Sequence, residues 1–159
     1  MEIKAEVVRG RMRGEKPVYS FEELLWGQIY PTDIDGSMDF KGRYFVFLEG
    51  KGEDGDTSSK NGQAYHFQNI EKRLNKDECT VLFIMFQHSD EAKLKNEKGH
   101  ILVNKCTPIK VRFNEVEQNI SEFPNYTIRD WINHFGEISA EKFPSLRLLT
   151  LWPLKNNKN

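Results

Sequence analysis

The chain of 159 residues carries 23 basic and 24 acidic side chains, a formal charge of -1 at pH 7. That balance excludes a global attraction to polyanions and leaves any nucleic-acid binding to local basic patches. With 38% hydrophobic and 12% aromatic residues the chain holds enough apolar material for one core, which excludes disorder throughout. A single domain over residues 1–159 is expected, with a core at about 20–90 and a C-terminal extension at about 91–159.

The N-terminal arm carries Lys4, Arg9, Arg11, Arg13 and Lys16 among Glu2, Glu6 and Glu15, and reads either as a local basic patch or as a solvated edge. Ser20, three residues before Glu23, makes a capping box for a short helix that Pro31 ends. Residues Thr32 to Phe40 and Tyr44 to Lys51 suit two strands, with Lys41-Gly42-Arg43 supplying the glycine of a hairpin loop. The second strand is apolar on both alternating faces, as in a strand covered above and below, and then turns charged at Glu49 and Lys51.

From Gly52 to Asn61 there is no hydrophobic side chain, so a mobile loop is expected. A helix follows over about Gly62 to Leu74, in which Gln63, Phe67, Ile70 and Leu74 share one stripe. Thr80 to Phe86 reads as a central buried strand, closing at His88-Ser89-Asp90. Ile101 to Val103 and Ile109 to Phe113 are candidates for two paired strands, and Thr127 caps a helix running to Phe135. The last segment, Phe143 to Leu154, gathers leucines and Trp152 that must pack on the domain's own core or form a homodimer. This order of elements is a mixed α/β domain, its central sheet flanked by helices.

Val81 to Phe86, the longest apolar run, is far short of the roughly 18 residues that span a bilayer. No membrane contact is expected, and the reading is of a cytoplasmic protein. Cys79 and Cys106 stand outside any paired metal-ligand spacing, and His66, His88, His100 and His134 form no zinc-binding pair. His66 is expected on a helix surface, His134 near a helix end and His88 just beyond the buried strand.

The chemistry gathers at the hairpin. With a three-residue loop Phe40 faces Tyr44, and counting back sets Asp35 opposite Glu49 and Asp33 opposite Lys51. A two-residue loop shifts this register by one and leaves Asp35 diagonal to Glu49. Two neighbouring carboxylates repel unless a cation neutralises them, and hard oxygen ligands suit Mg²⁺ or Mn²⁺, with the carbonyl of Gly50 able to complete the protein's share. A metal held this way activates water and stabilises charge on a phosphate while a lysine orients the attacking or leaving oxygen. The blander alternatives are an acidic solvent face for Asp33, Asp35 and Asp39, and a surface ion pair for Glu49 and Lys51.

The segments Pro31-Thr32-Asp33-Ile34-Asp35-Gly36, Phe45-Val46-Phe47-Leu48-Glu49-Gly50-Lys51 and Gly62-Gln63 together resemble the PD-(D/E)xK nuclease superfamily, most of all its small phage-encoded members. The resemblance implies a restriction-endonuclease-like αβββαβ core and a metal-dependent deoxyribonuclease, with nucleic acid, DNA before RNA, as partner. Asp35 and Glu49, fourteen residues apart, match the ligand pair, and Lys51 matches the lysine. Gln63 matches the glutamine that starts this helix in RecB-like members and is expected to touch the substrate or a residue that holds it, although Phe67 stands where they carry a tyrosine. Glu22 or Glu23 matches a glutamate of the upstream helix. Either Asp33 or Asp35 can be the principal ligand, since Thr32 separates Pro31 from Asp33. The rival from another class is a nuclease-like protein that binds nucleic acid or a host defence protein without cutting.

Overall fold

Lys41 and Gly42 both take left-handed backbone angles, with φ of 55° and 65°, and this closes a three-residue loop. The amide of Gly42 donates to Asp39 Oδ1 at 2.6 Å and that of Arg43 to the Phe40 carbonyl at 3.1 Å. The loop joins strand β1, Gly36–Phe40, to β2, Tyr44–Lys51, in the antiparallel register Phe40 to Tyr44 and Gly36 to Leu48. Of the two registers open from sequence, this is the one a three-residue loop dictates. The computed structural model describes residues 34–52, 62–88, 94–97 and 101–149. The upstream helix, the basic arm, the loop residues 53–61 and the end of the C-terminal segment lie outside them.

Helix α1, Gly62–Lys76, crosses from β2 to β3, Thr80–Gln87, which pairs with β2 in parallel from Tyr44–Thr80 to Lys51–Gln87. Strand β4, Thr107–Phe113, and the two-residue β5, Val116–Glu117, follow antiparallel, giving a five-stranded sheet in the order β1-β2-β3-β4-β5. Segments on both sides of residue 91 thus share one sheet, with β3 at its centre. Among the described residues two strands precede α1. The strand expected at Ile101 to Val103 is absent: Ile101 makes an isolated bridge to Lys95, and Val103–Lys105 is a 3-10 turn.

Helix α2, Ile128–Lys142, begins at the expected cap, where Thr127 and Asp130 form a reciprocal capping box. It continues seven residues beyond Phe135, because Gly136, Ser139 and Ala140 make a small buried stripe that lets the helix approach the sheet. There Thr80 Oγ1 donates to Ser139 Oγ at 2.7 Å. His134 accordingly sits mid-helix rather than near an end, within ring contact of Phe123, Tyr126, Trp131 and Phe135.

The two faces of the sheet are packed differently. Tyr44, Val46 and Leu48 of β2, Leu82, Ile84 and Phe86 of β3 and Val111 of β4 meet Trp131 and Phe135 of α2 in the larger core. Leu146, from the 3-10 segment Pro144–Leu149, is fully buried in it, so this part of the C-terminal segment packs on its own domain. On the other face, among the described residues, Phe83 and Met85 cluster with Phe67 of α1, with Phe47 and Ile109 at the margin. A bulge between Met85 and Phe86 leaves Ile109 extra in β4, beside Lys110.

Candidate functional site

Alternation along β2 sends Phe45, Phe47, Glu49 and Lys51 to the α1 face. Glu49 and Lys51, two apart, meet there: Lys51 Nζ lies 3.0 Å from Glu49 Oε1. The pair is not the surface ion pair that a strand end would ordinarily carry. Glu49 is only 5% exposed and the Lys51 side chain 15%. Removing two charges from water costs several kcal/mol per ion before their attraction is counted, so burial of such a pair is weakly motivated by stability.

Asp35 joins them from the opposite strand. It lies in the bend just before β1, and its Oδ2 accepts the Gly50 amide at 2.7 Å. The carboxylate is thereby pressed against the peptide that links Glu49 to Gly50. A Cβ at position 50 would stand 3.0 Å from the Phe86 ring and 3.2 Å from Asp35 Oδ2, so a larger residue there would have to push one of these side chains by a few tenths of an ångström. The Gly50 contribution observed is its amide, donated to Asp35. Its carbonyl is the group the sequence offers to a cation, and the hydrogen bond from the amide to Asp35 leaves that oxygen's role open.

Asp35, Glu49 and Lys51 are thus brought to one end of the hairpin, and Gln63 lies in the first turn of α1. Asp33, Glu22 and Glu23 fall outside the described residues. Among the described residues no three His, Cys, Asp or Glu side chains gather in a group that could hold a metal ion. Two carboxylates of hard oxygen character, neighbours across the hairpin, are what the described chain offers a divalent cation. Their chemistry fits Mg²⁺ or Mn²⁺, and a further acid or water would have to complete the shell.

Two residues that the sequence did not single out border this end. Gln87 is the parallel-register partner of Lys51, and Lys110 stands beyond Met85 in the row that runs from Glu49 across β3. The row is short, about 10 Å from Glu49 to Lys110 at two strand spacings. The His88 amide donates to the Lys51 carbonyl at 3.0 Å, and its ring stands 3.9 Å from where a Cβ on Gly52 would lie. Glu49, Lys51 and Gln87 all sit at the carboxyl ends of the parallel pair, where open α/β sheets place their ligands. Pairing of distant strands is the reason Gln87 and Lys110 were invisible in the sequence.

A second buried charge occupies the same face. Glu71 of α1, 1% exposed, meets Arg112 Nη2 of β4 at 3.3 Å. Burial pushes its carboxyl from 4.5 to about 7, helped by the charge of Glu115 and opposed by Arg112 and Lys110. The stripe expected to be buried therefore turns: Phe67 is buried, Ile70 and Leu74 are half-buried, and Glu71 takes an interior position. Comparison with family models, curated proteins and solved structures finds no match to the chain. Among the described residues no helix is long and apolar enough to cross a membrane.

Proposed function

We propose that the chain is a metal-dependent nuclease that hydrolyses phosphodiester bonds, DNA being the expected substrate, on a restriction-endonuclease-like core. The observation that supports it is the buried Glu49 paired with the half-buried Lys51 at the carboxyl end of β2, with the Asp35 carboxylate pinned beside it. The order of hairpin, crossover helix and parallel strand also suits that core. In this reading Asp35 and Glu49 hold Mg²⁺ or Mn²⁺, and a bound divalent ion would supply a water of lowered pKa and charge for the phosphate. Lys51, held by Glu49, orients the attacking water or steadies the phosphate oxygens. Gln63, at the start of α1, contacts the substrate. A phage or mobile-element origin and a dimer through the Leu/Trp-rich end belong to the same proposal.

Labelled single- and double-stranded nucleic acids, incubated with the purified chain in Mg²⁺, in Mn²⁺ and in EDTA, test the reading. Cleavage is expected with metal only. Glu49→Gln keeps the shape and removes a charged ligand, so both cleavage and the metal-induced rise in melting temperature should disappear. Lys51→Ala should keep that rise and lose cleavage. A wild-type chain that cuts no substrate under any of these conditions would overturn the proposal in favour of binding without cutting.

A further inference from the structure

A cleft of about 610 Å³ opens between α1 and the β1–β2 hairpin. Its floor is aromatic, made by Phe45 and Phe47 of β2, and its far wall is Ile70 and Leu74. Along its rim run His66, Asn69 and Arg73, spaced so that they lie on one side of the helix. Aromatic rings below, amide and imidazole at the edge, a guanidinium above and the Asp39 carboxylate, which accepts the Gly42 amide, make a mixed lining. It suits a flat, hydrogen-bonding heteroaromatic ring that carries an anion more than it suits an alkyl chain.

The place of the cleft narrows the choice. Phe45, Phe47, Glu49 and Lys51 are successive same-face residues of β2, so its floor continues directly into the buried acid–lysine pair, roughly 7 Å per step. A strand laid along β2 would have a base on Phe45 or Phe47 when its backbone reached Glu49 and Lys51. A base inside a duplex presents only its edge and cannot reach a recessed aromatic floor, whereas an unpaired base can stack there. Arg73 is 76% exposed at its side chain, and its ion pair with Asp77, one turn away at 3.5 Å, is a solvent-exposed one that a phosphate can displace.

We infer that this cleft is a base-stacking subsite for single-stranded nucleic acid, leading the strand into the acid–lysine pair. The direction of the strand toward a cutting centre rests on the nuclease reading; the stacking subsite does not.

The test is anisotropy of a fluorescent 15-nucleotide oligo-dT and of a hairpin duplex of matched length, each titrated with the full chain in EDTA, so that binding is read without cleavage. Phe45→Leu keeps an apolar floor and removes the ring face, and Arg73→Ala removes an exposed cation. The oligo-dT is expected to bind at least tenfold more tightly than the duplex. Each variant should weaken oligo-dT binding about tenfold, leaving duplex binding and melting temperature unchanged. Equal affinity for the two probes overturns the subsite, as does wild-type oligo-dT affinity in a folded Phe45→Leu chain. Cleavage with Mg²⁺ but no single-strand preference would sink the subsite alone. Single-strand preference without cleavage would sink the nuclease reading alone. Should Phe45→Leu fail to fold, Arg73→Ala decides by the same comparison.

Discussion

One sheet separates two unlike neighbourhoods. On the α2 side Trp131, Tyr44, Leu82, Ile84 and Val111 close an apolar core at or near zero exposure. On the α1 side the buried set is Phe67, Phe83 and Met85, interrupted by Glu49 with Lys51 and by Glu71 with Arg112. Charges placed where apolar side chains would be cheaper are poor cement. The α2 face is therefore the one that stabilises the fold, and the α1 face carries charged pairs that stability alone motivates weakly. The cleft lies on the latter face, as does every described residue assigned to the site with the exception of Gly50, whose contribution comes from the backbone.

Breaking the α2 face should have the largest effect. Trp131→Ala removes a fully buried ring that contacts Phe123, Tyr126 and Phe135, and should cost about 3–5 kcal/mol in denaturant unfolding. A loss under 1 kcal/mol would dissolve the contrast between the faces.

Next in size is a proton effect confined to the α1 face. Glu71 binds a proton more tightly folded, near 7, than unfolded, at 4.5. Its protonated form therefore favours the fold fully below about 4.5, and that contribution fades as pH rises through about 7, by roughly 3 kcal/mol in all. The difference in unfolding free energy between wild type and Glu71→Gln isolates it from other carboxylates. Wild type should lose ground to the variant from pH 4.5 to pH 8, and a difference that stays flat across this range would refute the assignment.

The smallest expected change in stability sharpens the comparison most. Replacing both members of the buried pair, Glu49→Gln with Lys51→Met, should leave unfolding free energy within about 1 kcal/mol of wild type or raise it by 1–4 kcal/mol, while abolishing metal-dependent cleavage. A large destabilisation would show that the pair is structural.

What was readable from the sequence follows how local its causes are. The Lys41-Gly42-Arg43 loop narrows the hairpin to two registers, and in both Asp35 comes beside or diagonal to Glu49; the structure takes the three-residue loop. The unbroken apolar run Val81 to Phe86 announces a strand covered on both faces wherever it lands. Thr127 announces the start of α2, and the structure adds Asp130 as its capping-box partner. Its end was hidden, because Gly136 and Ser139 look like weak helix formers until the sheet they fit against is known. Glu71 was hidden for the same reason: its partner Arg112 comes from β4, which only tertiary pairing brings beneath α1. Burial of Glu49 and Lys51 likewise depends on neighbours outside their own strand.

The hairpin register has a consequence for assembly. Asp35, Glu49, Gly50 and Lys51 lie within 17 consecutive residues, and the Asp35–Gly50 contact spans 15. Pairing β2 with β3, by contrast, requires α1 to be laid down first, with Tyr44 and Thr80 meeting across 36 positions. Short loops close at lower entropic cost and faster than crossover connections, and hairpins form in about 1–10 μs. Chain connectivity thus favours joining the two acids before the sheet's centre exists, so that the charge repulsion between them is met while water still surrounds both, and burial of Glu49 comes afterwards.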